Sequence, residues 1–179
     1  MGDGIDCPAV TTIVIAYHEA GHAVAQLLVS PPLPLTEVTI VPKGDNLGQA
    51  CFEDYGDLIV PDTDGEDAEV SEHWRQYLDS EAISSLAGPL AEQRFRGETL
   101  GPPLPASAGA DQAHVHAIAR FLYEDLREAD MWQWWMLHRA VRLVEVDADF
   151  WAAVVTVAGA LLRESSLSES EVAQLVHGG

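Results

Sequence analysis

Val10-Thr11-Thr12-Ile13-Val14-Ile15-Ala16-Tyr17-His18-Glu19-Ala20-Gly21-His22-Ala23-Val24-Ala25-Gln26-Leu27-Leu28-Val29 is the stretch on which the reading of this chain turns. It is apolar and rich in alanine, and it reads as one long helix over 10–29. Ser30-Pro31-Pro32 stop it, because proline has no N–H to continue the hydrogen-bond ladder. Inside the helix, His18 and His22 stand four residues apart. That spacing puts both imidazoles on one face, where they can reach a single metal ion, with Glu19 projecting beside them. A metal held this way lowers the pKa of a bound water to about 7, and the glutamate can take its proton, which is the zinc-peptidase arrangement. The same pattern also suits two histidines that merely decorate a helix. Gly21 adds a second signal. In mid-helix it costs about 1 kcal/mol relative to alanine, so its presence predicts a close approach by another backbone.

Outward from this helix the chain alternates pattern and punctuation. Residues 35–41 carry β-branched side chains in alternation, Pro42-Lys43-Gly44-Asp45-Asn46 reads as a turn, and 47–52 is a second short apolar run, which predicts a β-hairpin. Between 53 and 72 lie nine acids and no Lys or Arg, a solvated loop. Helical periodicity returns over 70–95, with a kink or break expected at Gly88-Pro89. Residues 97–109, with Pro102, Pro103 and Pro105, read as a loop. Asp111 opens a further helix on which Val115, Ile118, Leu122 and Leu126 recur at helical spacing. Helices over 131–146, over 150–163 and after Ser168 complete the chain, and Ser168 with Glu171 has capping-box spacing. The expectation is a single domain over 1–179, mainly α (α+β), with one small sheet in the N-terminal third.

Composition narrows the functions. Nine Lys and Arg against 29 Asp and Glu give a net charge of −20, a field that repels phosphate backbones and anionic lipid, so nucleic acid is excluded as a direct partner. Cys7 and Cys51 form no CxxC pair, which fits a reducing compartment. Residues 1–8 lack the basic and apolar blocks of a signal peptide. The apolar run over 150–162 is too short to span a bilayer, so no membrane insertion is expected. Trp132, Trp134, Trp135 and Trp151 read as core or as a partner-facing patch.

A catalytic zinc site needs a third protein ligand and one open position. The extended motif with Gly and His following His22 is absent, because those positions are Ala25 and Leu28. The remaining candidates are Glu37, Glu53, His73, Asp111, His114 and His116. Asp111 begins a helix after the Pro-rich loop, where the dipole favours a carboxylate; the same position suits a plain N-cap.

The stretch Ala16-Tyr17-His18-Glu19-Ala20-Gly21-His22-Ala23, followed by Val38-Thr39-Ile40-Val41-Pro42-Lys43-Gly44 and Leu47-Gly48, resembles the peptidase domain of the FtsH-type AAA proteases. Leu86-Ala87-Gly88-Pro89-Leu90-Ala91-Glu92 is similar to that family's Gly-Gly-Arg-x-Ala-Glu helix. Asp111, with Ile118-Ala119-Arg120, is similar to the segment carrying its third zinc ligand. The likeness runs over about 14–176. It implies a helical zincin-like fold, Zn2+ held by His18, His22 and Asp111, and Glu19 as general base. It also implies that Glu37, Val38, Thr39, Ile40 and Val41 form an edge strand that binds an extended peptide by strand addition. A bacterial cytoplasmic setting is implied as well. Three features depart from the family. No phosphate-binding loop occurs, which predicts a metalloendopeptidase that works without ATP on peptides or flexible segments, or on proteins delivered by a separate ATPase or adaptor. Pro89 stands where the family has arginine. The family's Gly-Ala step is displaced to Gly109-Ala110, which keeps His114 as an alternate ligand. Oligomerisation stays open. The competing expectation is a binding or regulatory module that kept the fold without turnover, its acidic surface and tryptophans recruiting a basic partner.

Overall fold

The computed structural model describes residues 8–43, 48–52 and 72–178. Helix α1 (Pro8–Leu28) leads into strand β1 (Leu35–Thr39), which pairs with β2 (Gln49–Phe52); α2 (Glu72–Arg96) follows. A short 3-10 turn at Ala106–Ala108 then delivers the chain into α3 (Gly109–Leu122), α4 (Leu126–Val146) and α5 (Ala148–Glu164). Strand β3 (Ser166–Ser168) and α6 (Glu169–His177) close the chain. The fold is mainly α with a three-stranded antiparallel sheet in the order β2-β1-β3. Among the described residues no helix is long and apolar enough to cross a membrane.

Helix α1 is the central post, with α2 and α5 packed along it and the sheet beside it. Its alanines make this possible. Ala16, Ala20, Ala23 and Ala25 are fully buried, and short side chains let neighbouring helices approach closely. Phe150, Val154, Val157 and Leu161 of α5 supply the bulk that fills the space around them.

Three sequence expectations are corrected. Helix α2 runs unbroken through Pro89, so of the kink or break expected at Gly88-Pro89 the break does not occur. The missing backbone hydrogen bond is outweighed by burial of Leu86, Ala87, Leu90 and Ala91 on both sides of it. Leu126 does not continue α3. Tyr123 is extended, and Asp125 caps a new helix by accepting from the Arg127 N–H at 2.7 Å, which leaves Leu126 exposed. Most consequential for function, β1 is the central strand, not an edge. Helix α5 ends at Ser165 in a left-handed conformation (φ 66°), which turns the chain back so that β3 runs antiparallel along β1. Ile40 N–H donates to the Ser165 carbonyl at 2.9 Å, and the Thr39 and Ser166 hydroxyls meet at 2.6 Å. Over Glu37, Val38 and Thr39 both sides of the strand are occupied, so a peptide cannot add to β1 there.

The capping-box expectation holds. At the start of α6, Glu171 reaches back to accept from the Ser168 N–H and hydroxyl, at 2.8 and 2.7 Å. Trp132 is buried and Trp151 half-buried, whereas Trp134 and Trp135 are exposed. The acidic stretch over 53–71 and Cys7 lie outside the described residues.

Candidate metal centre

His18, Glu19 and His22 occupy the middle of α1 and are all buried. What faces the two histidines is one stripe of α2, residues 84, 88 and 92, which recur every four positions and so share a helix face. At Gly88 an added Cβ would overlap the His22 ring. On the α1 side, a Cβ on Gly21 would lie 2.7 Å from the Ala87 carbonyl oxygen and 3.0 Å from the Gly88 Cα. The two glycines therefore let α1 and α2 approach at the level of the histidines, which is the close approach that Gly21 predicted.

Both imidazoles are oriented from behind. His22 Nδ1 lies 2.9 Å from the Ser84 carbonyl oxygen; a carbonyl only accepts, so Nδ1 carries the hydrogen and neutral His22 presents a bare Nε2 forward. His18 Nδ1 lies 3.1 Å from Glu92 Oε2, and a carboxylate there selects the same tautomer. Glu92 is itself buried and fixed by the Ser107 hydroxyl at 2.7 Å and the Arg96 guanidinium at 2.9 Å. Sequence reasoning passed over Glu92's role, since nothing in its spacing from His18, 74 positions away, marks it as a partner.

The third group comes from α3. Gln93 of α2, buried at its end, grips the Pro-rich loop, its amide donating to the Gly101 and Pro103 carbonyls and accepting from the Gly101 N–H. From that anchored loop the chain enters α3 with Ala108 at the cap position and Asp111 in the first turn. Asp111 makes no cap bond there. Its two carboxylate oxygens lie 3.4 Å from His18 Nε2 and 3.4 Å from His22 Nε2. One ligand atom from each of His18, His22 and Asp111 falls within 4.8 Å of the others. Ligand atoms at about 2.0–2.1 Å from a tetrahedral Zn2+ stand about 3.3 Å apart, so the donor set and its two carboxylate–imidazole spacings fit that ion.

His114, the alternate candidate, is not one of the three residues whose ligand atoms converge. Its Nε2 pairs with Glu81 Oε1 of α2 at 2.8 Å. Glu37 and His116 are exposed, on β1 and the outer side of α3. Glu53 and the His73 side chain lie outside the described residues.

The electrostatics follow from burial and proximity. Burial pushes the Glu19 carboxyl up to about 7, with the Asp111 charge adding to that push and His18 and the Ala50 N–H opposing it. Burial works against a charge on His18, yet hydrogen bonds to Asp111 and Glu92 and the nearby Glu19 charge raise it to about 9. Burial lowers His22. Burial would raise Asp111, but the His18 hydrogen bond and the two imidazole charges hold it below its ordinary value. Beside Glu19, Gly48 leaves room at the head of β2, where a Cβ would come within 2.8 Å of Glu19 Oε1.

The family model described as Peptidase family M41 matches residues 10–122. Among curated proteins, the chain is similar to the ATP-dependent zinc metalloprotease FTSH 6, chloroplastic, of Arabidopsis thaliana, at 29% identity over 133 residues, 74% of this chain and 17% of that protein. The ATP-dependent zinc metalloprotease FtsH of Haemophilus influenzae is 39% identical over 83 residues, 46% of this chain and 11% of that protein. Its namesake from Protochlamydia amoebophila is 31% identical over 97 residues, 54% of this chain and 8% of that protein. The chain thus spans less than a fifth of the length of these relatives.

Proposed function

This chain belongs to peptidase family M41, and on that premise we propose that it is a zinc-dependent metalloendopeptidase whose metal is held by His18, His22 and Asp111. The observation that carries the reading is the convergence of two imidazole Nε2 atoms, their tautomers set from behind, with the Asp111 carboxylate and with Glu19 beside them. The matched relatives are zinc metalloproteases by name. When bound, Zn2+ supplies Lewis-acid polarisation and a water acidified to about pKa 7. Glu19, buried and held by the Ala50 N–H, has a proton affinity near neutrality in the metal-free chain. A carboxylate so placed takes a proton from water and gives it to the leaving amine, work that is worth about 10²–10⁴-fold in rate.

Substrates on this reading are extended peptides or flexible protein segments, cleaved without ATP by this domain alone or after delivery by a separate ATPase or adaptor. With β1 flanked on both sides, strand β2 replaces it as the strand to which a peptide would add. It reaches Glu19 through Ala50, and among the described residues no strand lies on its outer side. The first test is metal analysis of the purified chain. Stoichiometric zinc and hydrolysis of unstructured peptides are expected, and a chain without metal under non-chelating conditions would refute the reading.

Two further outcomes follow from how the ligands are held. Glu92→Ala removes the group that orients His18, and loss of such an outer-shell partner costs about 10–100-fold in metal affinity; competition against a chromophoric chelator measures this, and an unchanged affinity would remove Glu92 from the site. The second concerns pH. His18 is raised to about 9 in the metal-free chain, so below that pH it holds a proton that zinc must displace. Apparent zinc affinity should therefore rise at least about tenfold per pH unit between pH 7 and 9, and a metal-bound water ionising near pH 7 would add to that slope. Calorimetry in buffers of differing ionisation enthalpy should count at least one proton released at pH 8, one from His18 and up to one more from a metal-bound water, and a flat profile above pH 7 would contradict the His18 assignment.

A further inference from the structure

The α2 stripe that orients the metal ligands does not end with them. Glu92 meets His18, Ser84 meets His22, and one turn earlier Glu81 meets His114. On α3, His114 lies three residues after Asp111, the spacing at which side chains share a helix face about 5–6 Å apart. Each partner of the Glu81–His114 pair is thus one helical turn from a group that holds or orients a proposed metal ligand. The pair is also unlike the three groups it adjoins. His18, His22 and Glu19 are buried, whereas the His114 side chain is 43% exposed and that of Glu81 is 16% exposed. His114 is an imidazole fixed on one side by a half-sheltered carboxylate and open to solvent on the other.

Nε2 of His114 is committed to Glu81 at 2.8 Å, and Nδ1 has no partner among the described residues. The nearby donors Arg96 and Ser107 both donate to Glu92, behind His18. Hydrolysis of an amide places negative charge on the former carbonyl oxygen, and a pre-oriented donor near that oxygen lowers the barrier because it needs no reorganisation when the charge appears. We propose that His114, held as an imidazolium in its ion pair with Glu81, is a further catalytic residue that donates a hydrogen bond from Nδ1 to the substrate oxygen as the scissile carbon becomes tetrahedral. The inference rests on the metallopeptidase reading above and adds a donor to it; no proton leaves Nδ1 in the step. Glu81 across the interface and Asp111 on its own helix are the charged groups that act on His114, and both favour its cationic form.

The test compares two metal-directed ligands with identical side chains on the zinc-loaded full chain. A phosphinic peptide presents a tetrahedral centre with a second oxygen, whereas a mercaptoacyl peptide meets the metal through one sulfur. His114→Ala should weaken the phosphinic peptide about 10²-fold, the scale of losing one oxyanion donor, while the mercaptoacyl peptide stays within about threefold. Glu81→Gln, which keeps the histidine and an acceptor for its Nε2 but removes the charge that favours the imidazolium, should move the phosphinic affinity in the same direction by less. In peptide hydrolysis the His114→Ala loss should fall on kcat with KM little changed. Equal weakening of both ligands, or of neither, overturns the donor role. A wild type that carries stoichiometric zinc and binds both ligands yet shows no His114 dependence defeats this inference alone, and a wild type without zinc defeats the metallopeptidase reading and this inference with it.

Discussion

Glu19→Gln should leave zinc bound and the fold intact while cutting peptide hydrolysis by about 10²–10⁴-fold. The substitution is nearly isosteric, and Glu19 is not among the three groups whose ligand atoms converge, so metal content separates loss of chemistry from loss of the site. Glutamine can still accept from the Ala50 N–H that now meets the carboxylate, which keeps β2 in place. It cannot accept a proton from water. Elemental analysis beside single-turnover cleavage of an unstructured peptide reads both quantities. A variant that keeps its zinc and cleaves within tenfold of wild type would remove Glu19 from the mechanism. A wild type that is zinc-loaded and inert towards every peptide would instead favour the binding-module alternative, for which the exposed Trp134 and Trp135 are the natural contact.

The second large effect is structural. Alanine at Gly88 would gain about 1 kcal/mol of helix propensity. Its Cβ would overlap the His22 ring, and His22 is fixed by the Ser84 carbonyl behind it, so either the ring or the α1–α2 packing must shift. Overpacking of this kind costs about 1–3 kcal/mol and more where backbone is involved. The expected result for Gly88→Ala is therefore lower stability together with a large loss of zinc affinity. Gly21→Ala should lower stability as well, because the atom it meets is the Ala87 carbonyl at 2.7 Å, which cannot swing aside as a side chain can. A net loss of 1 kcal/mol corresponds to about 2–4 °C in Tm at this size. Gly109→Ala is the control. It sits in helical conformation in the first turn of α3 with nothing within 4 Å of an added Cβ, and it should be neutral or stabilising. Thermal unfolding of the three variants, with zinc titration, checks the set. If all three behave alike, the glycines have no role in bringing the helices together.

Much of this site was legible in the residues. His18 and His22 could be paired because a helix repeats every 3.6 residues and four-residue spacing survives any tertiary arrangement. Gly21 betrayed the α2 contact because glycine in a buried helix needs a reason. Asp111 was found as a candidate but not distinguished from an N-cap by composition; only its placement 3.4 Å from both imidazoles separates the two. Glu92 and Ser84 carried no readable signal, since each acts on a histidine more than 60 residues away. The edge-strand expectation for β1 failed for a similar reason. Strand β3 has three residues, too few to show alternation, and it exists because Ser165 adopts a left-handed turn that serine rarely takes.

What the sequence alone determined is local: the helix that carries two histidines and a glutamate, the glycine that lets a second helix close on it, and the turn and cap residues that punctuate the rest. These depend on spacings of a few residues, which covalent geometry fixes in advance. Only the tertiary structure decided which carboxylate faces the histidines, which tautomers they hold, that His114 belongs to Glu81, and that β1 lies inside its sheet. Each of those depends on where distant segments meet, and that is set by which faces can be buried together, a property of the whole chain that no short window contains.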